Sequence, residues 1–337
     1  MEYRKVPHAP SPEVYQSRDE QLKIRLWELG LIHDALLKVD EGTQLENLDE
    51  NSSSHWKNDR NDVLPMFKGQ LDVQEPGSIA WAGHSFGAAT SVQFVKSIFW
   101  RGDSPLFTPA PRSRIVRQIN PHTPVVLLDL WCLPLRSSST RVLWEKPMPC
   151  YASSGPGGTA LVSIISEAFF KWRGNLQDTK RVLSEKPSSN RPPHTKPGPR
   201  FFYSVSSAHL SQSDFGILFP WITKKVFKAE EPERTLKLNV RAILQMLRDN
   251  GVEVADTSRT DMEENATDNS RIPVGDSNNG QDRKIFTPNR GVRGWVAVST
   301  DLHDSTAATS VETDRKKGPS DAVVEGELLG EMKQQRV

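Results

Sequence analysis

Cysteine is nearly absent from this chain: Cys132 and Cys150 are the only two in 337 residues. Two cysteines cannot lay out a disulfide framework. Both sit in apolar surroundings (DLWCLPL and MPCYAS), so they read as buried free thiols suited to a reducing, cytoplasmic setting. Net charge is lacking too. With 43 Lys and Arg against 42 Asp and Glu the formal balance is +1, which gives no global pull toward nucleic acid, and none is expected as a partner. There is no run of 18 apolar residues to span a membrane, and the opening MEYRKVPHAPSPEVY has no apolar core of a secretory signal. Internal repeats are missing, and no cluster of metal-ligating residues stands out, so neither a metal nor another cofactor is called for. Hydrophobic content, 36%, is lean. The apolar runs gather between residues 64 and 250, whereas 40–62, 186–200 and 251–337 hold few. A folded domain over 1–250 and an acidic, disordered tail over 251–337 are the expected organisation.

What is present alternates between strand-like and helix-like segments. Ser17-Arg18-Asp19-Glu20 has the form of a capping box, and Leu22, Leu26, Leu29, His33 and Leu36 follow at helical steps, predicting a helix over 17–39. His33 on that face reads as a spacer rather than a ligand. Residues 40–62 and the proline-rich 186–200 read as exposed loops. Ser78–Ala82 is a short strand candidate, and Phe86–Trp100 a helix with Ala88, Ala89, Val92, Val95 and Phe99 turned inward. Thr123–Trp131 (TPVVLLDLW) reads as a parallel strand covered on both faces and closed by an aspartate. Lys146–Ala152 is a further strand candidate, Gly158–Trp172 a predicted helix, Gln177–Ser184 a short helix, Phe201–Ser206 a strand, and Asp214–Phe227 and Glu231–Asp249 helices. GVRGWVAVSTDL, within the tail, is given little weight as a structured island. Ile98-Phe99-Trp100 and Phe219-Pro220-Trp221 are aromatic stretches read mainly as buried packing, with lipid contact as the alternative. Strands alternating with helices argue for a mostly parallel α/β sheet.

The chemistry concentrates in AWAGHSFGAAT, residues 80–90. Gly83-His84-Ser85-Phe86-Gly87 fits G-x-S-x-G and lies between a predicted strand and a predicted helix, where a strained turn holds a nucleophilic serine. A serine hydroxyl needs a base, and the base needs an orienting acid. Asp129 ends its strand. Of the histidines that follow it, His194 lies in the proline-rich loop and His303 in the tail, whereas His209 comes just after the strand FFYSVS. The order serine, acid, histidine, each at a strand end, is that of an α/β-hydrolase.

Three longer blocks give the chain a family resemblance. GHSFGAAT (Gly83–Thr90), Asp129-Leu130-Trp131-Cys132-Leu133-Pro134-Leu135 in the form D-x-W-x-x-P-L, and His209 with Asp214-Phe215 in the form H-x-x-x-x-D-F resemble the nucleophile, acid and histidine blocks of the platelet-activating factor acetylhydrolases, the plasma and intracellular type II family and its fungal branch. The resemblance covers roughly residues 1–250. It implies an α/β-hydrolase fold with Ser85 as nucleophile, Asp129 as orienter, His209 as base and the Phe86 backbone N–H as an oxyanion donor. It further implies a serine esterase for the sn-2 acetyl or short acyl ester of a phospholipid, with transient contact to a membrane surface.

The resemblance has one departure. The family's second oxyanion donor comes from an early loop between apolar strands, and residues 1–77 offer only one helix and a polar stretch. The expectation is therefore a chain truncated within the family's domain and holding the C-terminal part of its sheet. Two other functions stay open: a general short-chain carboxylesterase or lipase on the same triad, and a catalytically impaired fragment acting as a binding module.

Overall fold

A computed structural model describes residues 6–43, 45, 64–103, 106–188, 195–264, 281–288 and 291–302. A five-stranded sheet runs in the order β1 (Trp81–His84), β2 (Val125–Leu128), β3 (Leu161–Ser166), β4 (Arg200–Ser204) and β5 (Trp295–Ala297). The first four strands are parallel and β5 is antiparallel to β4.

Alternation along the strands divides the core into two layers, because successive side chains point to opposite faces. Val125, Leu127, Leu161, Ile165 and Phe201 face the larger layer. There they meet α1 (Pro12–Glu41), α2 (Phe86–Phe99) and α3 (Arg173–Leu183). Val126, Val162, Ile164 and Phe202 face the other layer, built on Leu238, Ala242 and Met246 of α5 (Pro232–Asp249) and on Ile285, Val292 and Trp295. α4 (Pro220–Phe227) lies outside both layers. Helices on both faces of a mostly parallel sheet are the α/β-hydrolase architecture the sequence pattern called for.

Several expected boundaries are corrected. α1 starts at Pro12 because Ser11, not Ser17, caps it: the Ser11 hydroxyl accepts from the Val14 N–H, and proline is well suited to the first helical position. Its buried stripe runs through Leu22, Leu26, His33 and Leu37, leaving Leu36 exposed. Residues 158–172 are not one helix. Leu161–Ser166 forms β3, buried on both faces between β2 and β4, and only Glu167–Lys171 is helical. A continuous apolar run has no periodicity to distinguish a core strand from a helix, and the β-branched Val162, Ile164 and Ile165 suit the strand. Lys146–Ala152 is no strand; Pro149–Tyr151 makes a 3₁₀ turn, since Pro147 and Pro149 cannot donate to a ladder. Pro220 splits the expected helix 214–227 into Phe215–Leu218 and α4.

The fold also continues past residue 250. Arg241 and Asp282 form a buried two-bonded ion pair at 2.6 and 3.1 Å, Trp295 stacks on Phe202, and Trp295–Ala297 completes the sheet. The island 291–302 thus earns its place through an aromatic anchor and three ladder residues. Residues 303–337, with His303, and residues 189–194, with His194, lie outside the described residues. Cys132 and Cys150 are buried free thiols, the latter pushed up to about 12 by burial. Phe219 and Trp221 are not buried as expected: they are 47% and 66% exposed, although the Phe219 ring also packs on Phe215 at 4.9 Å between centroids.

Candidate functional site

Three strand exits on one edge of the sheet supply the site, and each passes through a non-glycine residue in the left-handed region. Ser85 leaves β1 at φ 58, Asp129 leaves β2 at φ 44, and Ser206 follows β4 at φ 57. Such conformations cost on the order of 1–3 kcal/mol each and persist where the surroundings hold them. At Ser85 the surroundings are plain. Its N–H donates to Leu128 O at 2.9 Å, and its carbonyl accepts from Ala88, Ala89 and Trp131 N–H groups at 3.1, 3.3 and 3.4 Å. Gly83 is required beneath this turn, because a Cβ there would lie 2.3 Å from Gly87 O. Gly87, the second glycine of the motif, faces open space and has no such obligation.

The β1–β2 pairing sets His84 opposite Leu128, so Ser85 and Asp129 emerge side by side. Asp129 is fully buried. One carboxylate oxygen accepts the Ser166 N–H at 2.5 Å; the other meets His209 Nδ1 at 2.9 Å. The N–H that holds Asp129 therefore comes from the end of β3. His209 opens a 3₁₀ turn after β4. That exit is pinned by Glu167, whose carboxylate accepts the Ser206 N–H at 2.5 Å, and by the Ser207 hydroxyl, which donates to Ser204 O at 2.6 Å and accepts from Glu167 N–H at 3.1 Å. Phe169 stacks on the His209 ring, centroids 4.8 Å apart and planes 17° off parallel.

The structure thus brings Asp129 and His209 into direct contact and places Ser85 on the neighbouring strand exit. Among the described residues the Ser85 hydroxyl makes no hydrogen bond. Catalytic hydrogen bonds commonly tighten only once substrate is bound. With Nδ1 against the carboxylate, His209 has its Nε2 left over as the ring's second polar atom. Phe86 is the first residue of α2, and its N–H has no intrahelical acceptor.

One member escaped sequence reasoning. His84 Nε2 lies 3.3 Å from His209 Nδ1, with ring centroids 4.4 Å apart. Burial, then the neighbouring His209, pull His84 down to about 4, so it stays neutral at ordinary pH. Its only signal was its place as the first variable residue of G-x-S-x-G, which carries no chemistry by itself. The sequence also offered no metal-ligating cluster, whereas the fold gathers His84, Asp129 and His209 with potential ligand atoms within 4.8 Å of one another. That set can hold a cation, but doing so would take the Asp129–His209 contact apart.

A family model described as platelet-activating factor acetylhydrolase, isoform II, matches residues 3–270. A protein of Schizosaccharomyces pombe named putative phospholipase A2 is 26% identical over 275 residues, covering 75% of this chain and 55% of the relative. The chain therefore spans about half the length of that curated relative.

Proposed function

The chain belongs to the platelet-activating factor acetylhydrolase isoform II family, and from that premise we propose that it is a serine esterase cleaving the sn-2 acetyl ester of phospholipids resembling platelet-activating factor. The observation that carries the reading is the Asp129–His209 contact beside Ser85 at its strained turn. In this account Ser85 Oγ attacks the sn-2 carbonyl carbon while His209 Nε2 takes the hydroxyl proton. The Phe86 N–H stabilises the oxyanion. Collapse breaks the bond to the glycerol oxygen, which leaves with the proton from His209 as lyso-lipid. A water deprotonated by His209 then cleaves the acetyl-Ser85 ester, releasing acetate and restoring the serine. Asp129 fixes the His209 tautomer and stabilises the imidazolium.

Contact with a lipid surface belongs to the same proposal. Leu218, Phe219, Trp221 and Val226 are exposed on the segment that follows His209, and Lys224, Lys225 and Lys228 accompany them. Apolar side chains with lysines alongside suit the interface of a bilayer. We also propose a cytoplasmic site of action, supported by the two free, buried thiols.

Acetate release from an acetylated ether phospholipid, compared with release from a soluble aryl acetate, tests the substrate class. Faster turnover of the phospholipid supports the reading. A preference for the aryl ester favours a general carboxylesterase.

A further inference from the structure

Two arginines of α1 stand on the aromatic rings beside the nucleophile, and the acyl-ester mechanism gives them nothing to do. Arg18 and Arg25 are seven residues apart, two helical turns, and so share a face. The Arg18 guanidinium carbon lies 4.8 Å from the Trp131 ring centroid and 5.8 Å from that of Phe86; the Arg25 guanidinium carbon lies 4.7 Å from the Phe86 ring. Phe86 follows Ser85 in sequence, and the Trp131 N–H bonds to Ser85 O at 3.4 Å. The two rings, edge to face with centroids 6.1 Å apart, thus tie both cations to the nucleophile turn.

Neither arginine forms an ion pair with a carboxylate among the described residues. Arg18 is only 8% exposed. It donates to Gln21 Oε1 at 2.8 Å and to Val6 O at 3.0 Å, while its buried Nε has no partner among the described residues. A buried cation with an unspent donor and a second cation close by is an unfavourable arrangement unless an anion completes it. Stacking on an aromatic face orients a guanidinium while leaving its N–H edge available, and that planar edge matches phosphate oxygens. A phosphodiester sits one glycerol carbon from the sn-2 ester of a glycerophospholipid, within the neighbourhood of groups that touch Phe86.

We propose that Arg18 and Arg25, carried on Phe86 and Trp131, bind the headgroup phosphodiester of the substrate while Ser85 meets its sn-2 ester. The assignment rests on the acyl-ester reading and deepens it: it names the element that separates phospholipids from neutral esters. Arg25 is exposed and makes the outer contact, while buried Arg18 meets the phosphate behind it through the Nε–H that has no partner among the described residues.

The test compares two substrates that differ only in the phosphate, 1-alkyl-2-acetylglycerophosphocholine and 1-alkyl-2-acetylglycerol, on the wild-type chain, Arg25→Gln and Arg18→Lys. Loss of one charge-assisted contact should lower kcat/KM of Arg25→Gln on the phospholipid by about tenfold or more, with the neutral ester within about twofold of wild type. Arg18→Lys, which keeps the charge and loses the fork, should show the same selective direction. Equal losses on both substrates reveal a purely structural role and overturn the proposal, as does no loss on either. If the wild-type chain hydrolyses neither substrate, the acyl-ester reading has failed, and binding decides the arginine site separately. Glycerophosphocholine and inorganic phosphate are then titrated calorimetrically into wild type and Arg25→Gln. Saturable glycerophosphocholine binding that weakens about tenfold in the variant supports the site. Absence of binding to wild type, or equal binding of free phosphate, overturns the headgroup assignment.

Discussion

At the scale of the residue, the site sets a neutral imidazole, His84, beside the one proposed to take the serine proton, His209. His209 sits between the Asp129 carboxylate, the Phe169 face and the His84 ring. Asp129→Asn should keep the shape but lose the charge that selects the tautomer; acetate release should fall by about 10³–10⁴ in kcat, measured beside wild type. His84 gives a different signature. Its folded value, about 4, lies below the ordinary histidine value of 6.5, so between those pH values the unfolded chain binds a proton that the folded chain refuses. Stability contributed by neutral His84 is present above that window and is lost as pH falls through it, about 2 kcal/mol between pH 7 and pH 5. Urea denaturation at the two pH values checks this, and His84→Asn should lose less stability over the same interval. Gly83 is the backbone counterpart. Gly83→Ala places a methyl against Gly87 O and should destabilise by about 2 kcal/mol or more, read as a lower urea midpoint.

At the scale of the element, α2 is unusual in being covered almost all round, by the sheet on one side and α1 on the other. It carries Lys96 into that interior, where the ammonium donates to Leu143 O at 3.1 Å with no carboxylate partner among the described residues, and burial brings it down to about 7. Folding is opposed wherever the lysine must stay charged, so stability should rise as pH climbs from about 7 toward 10.5. Lys96→Met keeps the chain length, removes the charge and should raise the melting temperature at pH 7 by several degrees while flattening that rise. The elements differ in how readable they were. Helix α2 and strands β1, β2 and β4 were legible within a few residues, because strong apolar patterns end at glycine, aspartate or serine. β3 was not, since a strand buried on both faces shows no period. β5 was not, because three residues in a polar stretch declare themselves only through a distant partner, Phe202.

At the scale of the whole molecule, the sheet converts sequence order into proximity: residues 85, 129 and 209 are far apart in the chain, and parallel pairing delivers them to one edge. That much could be read from strand-terminal residue types and their order. His84 and the Arg18–Arg25 pair could not, because their relation to the site arises from packing between elements and leaves no spacing in the sequence. The exposed segment after His209 adds a surface-level expectation. Trp221→Ala with Leu218→Asp should weaken sedimentation with phosphatidylcholine vesicles at least several-fold while leaving turnover of a soluble aryl acetate within about twofold. The most direct test of the esterase account is acetate release from an acetylated ether phospholipid by the purified chain and by Ser85→Ala. The account predicts turnover by the wild-type chain and a fall of about 10⁴ or more in Ser85→Ala; equal rates in the two proteins would contradict it.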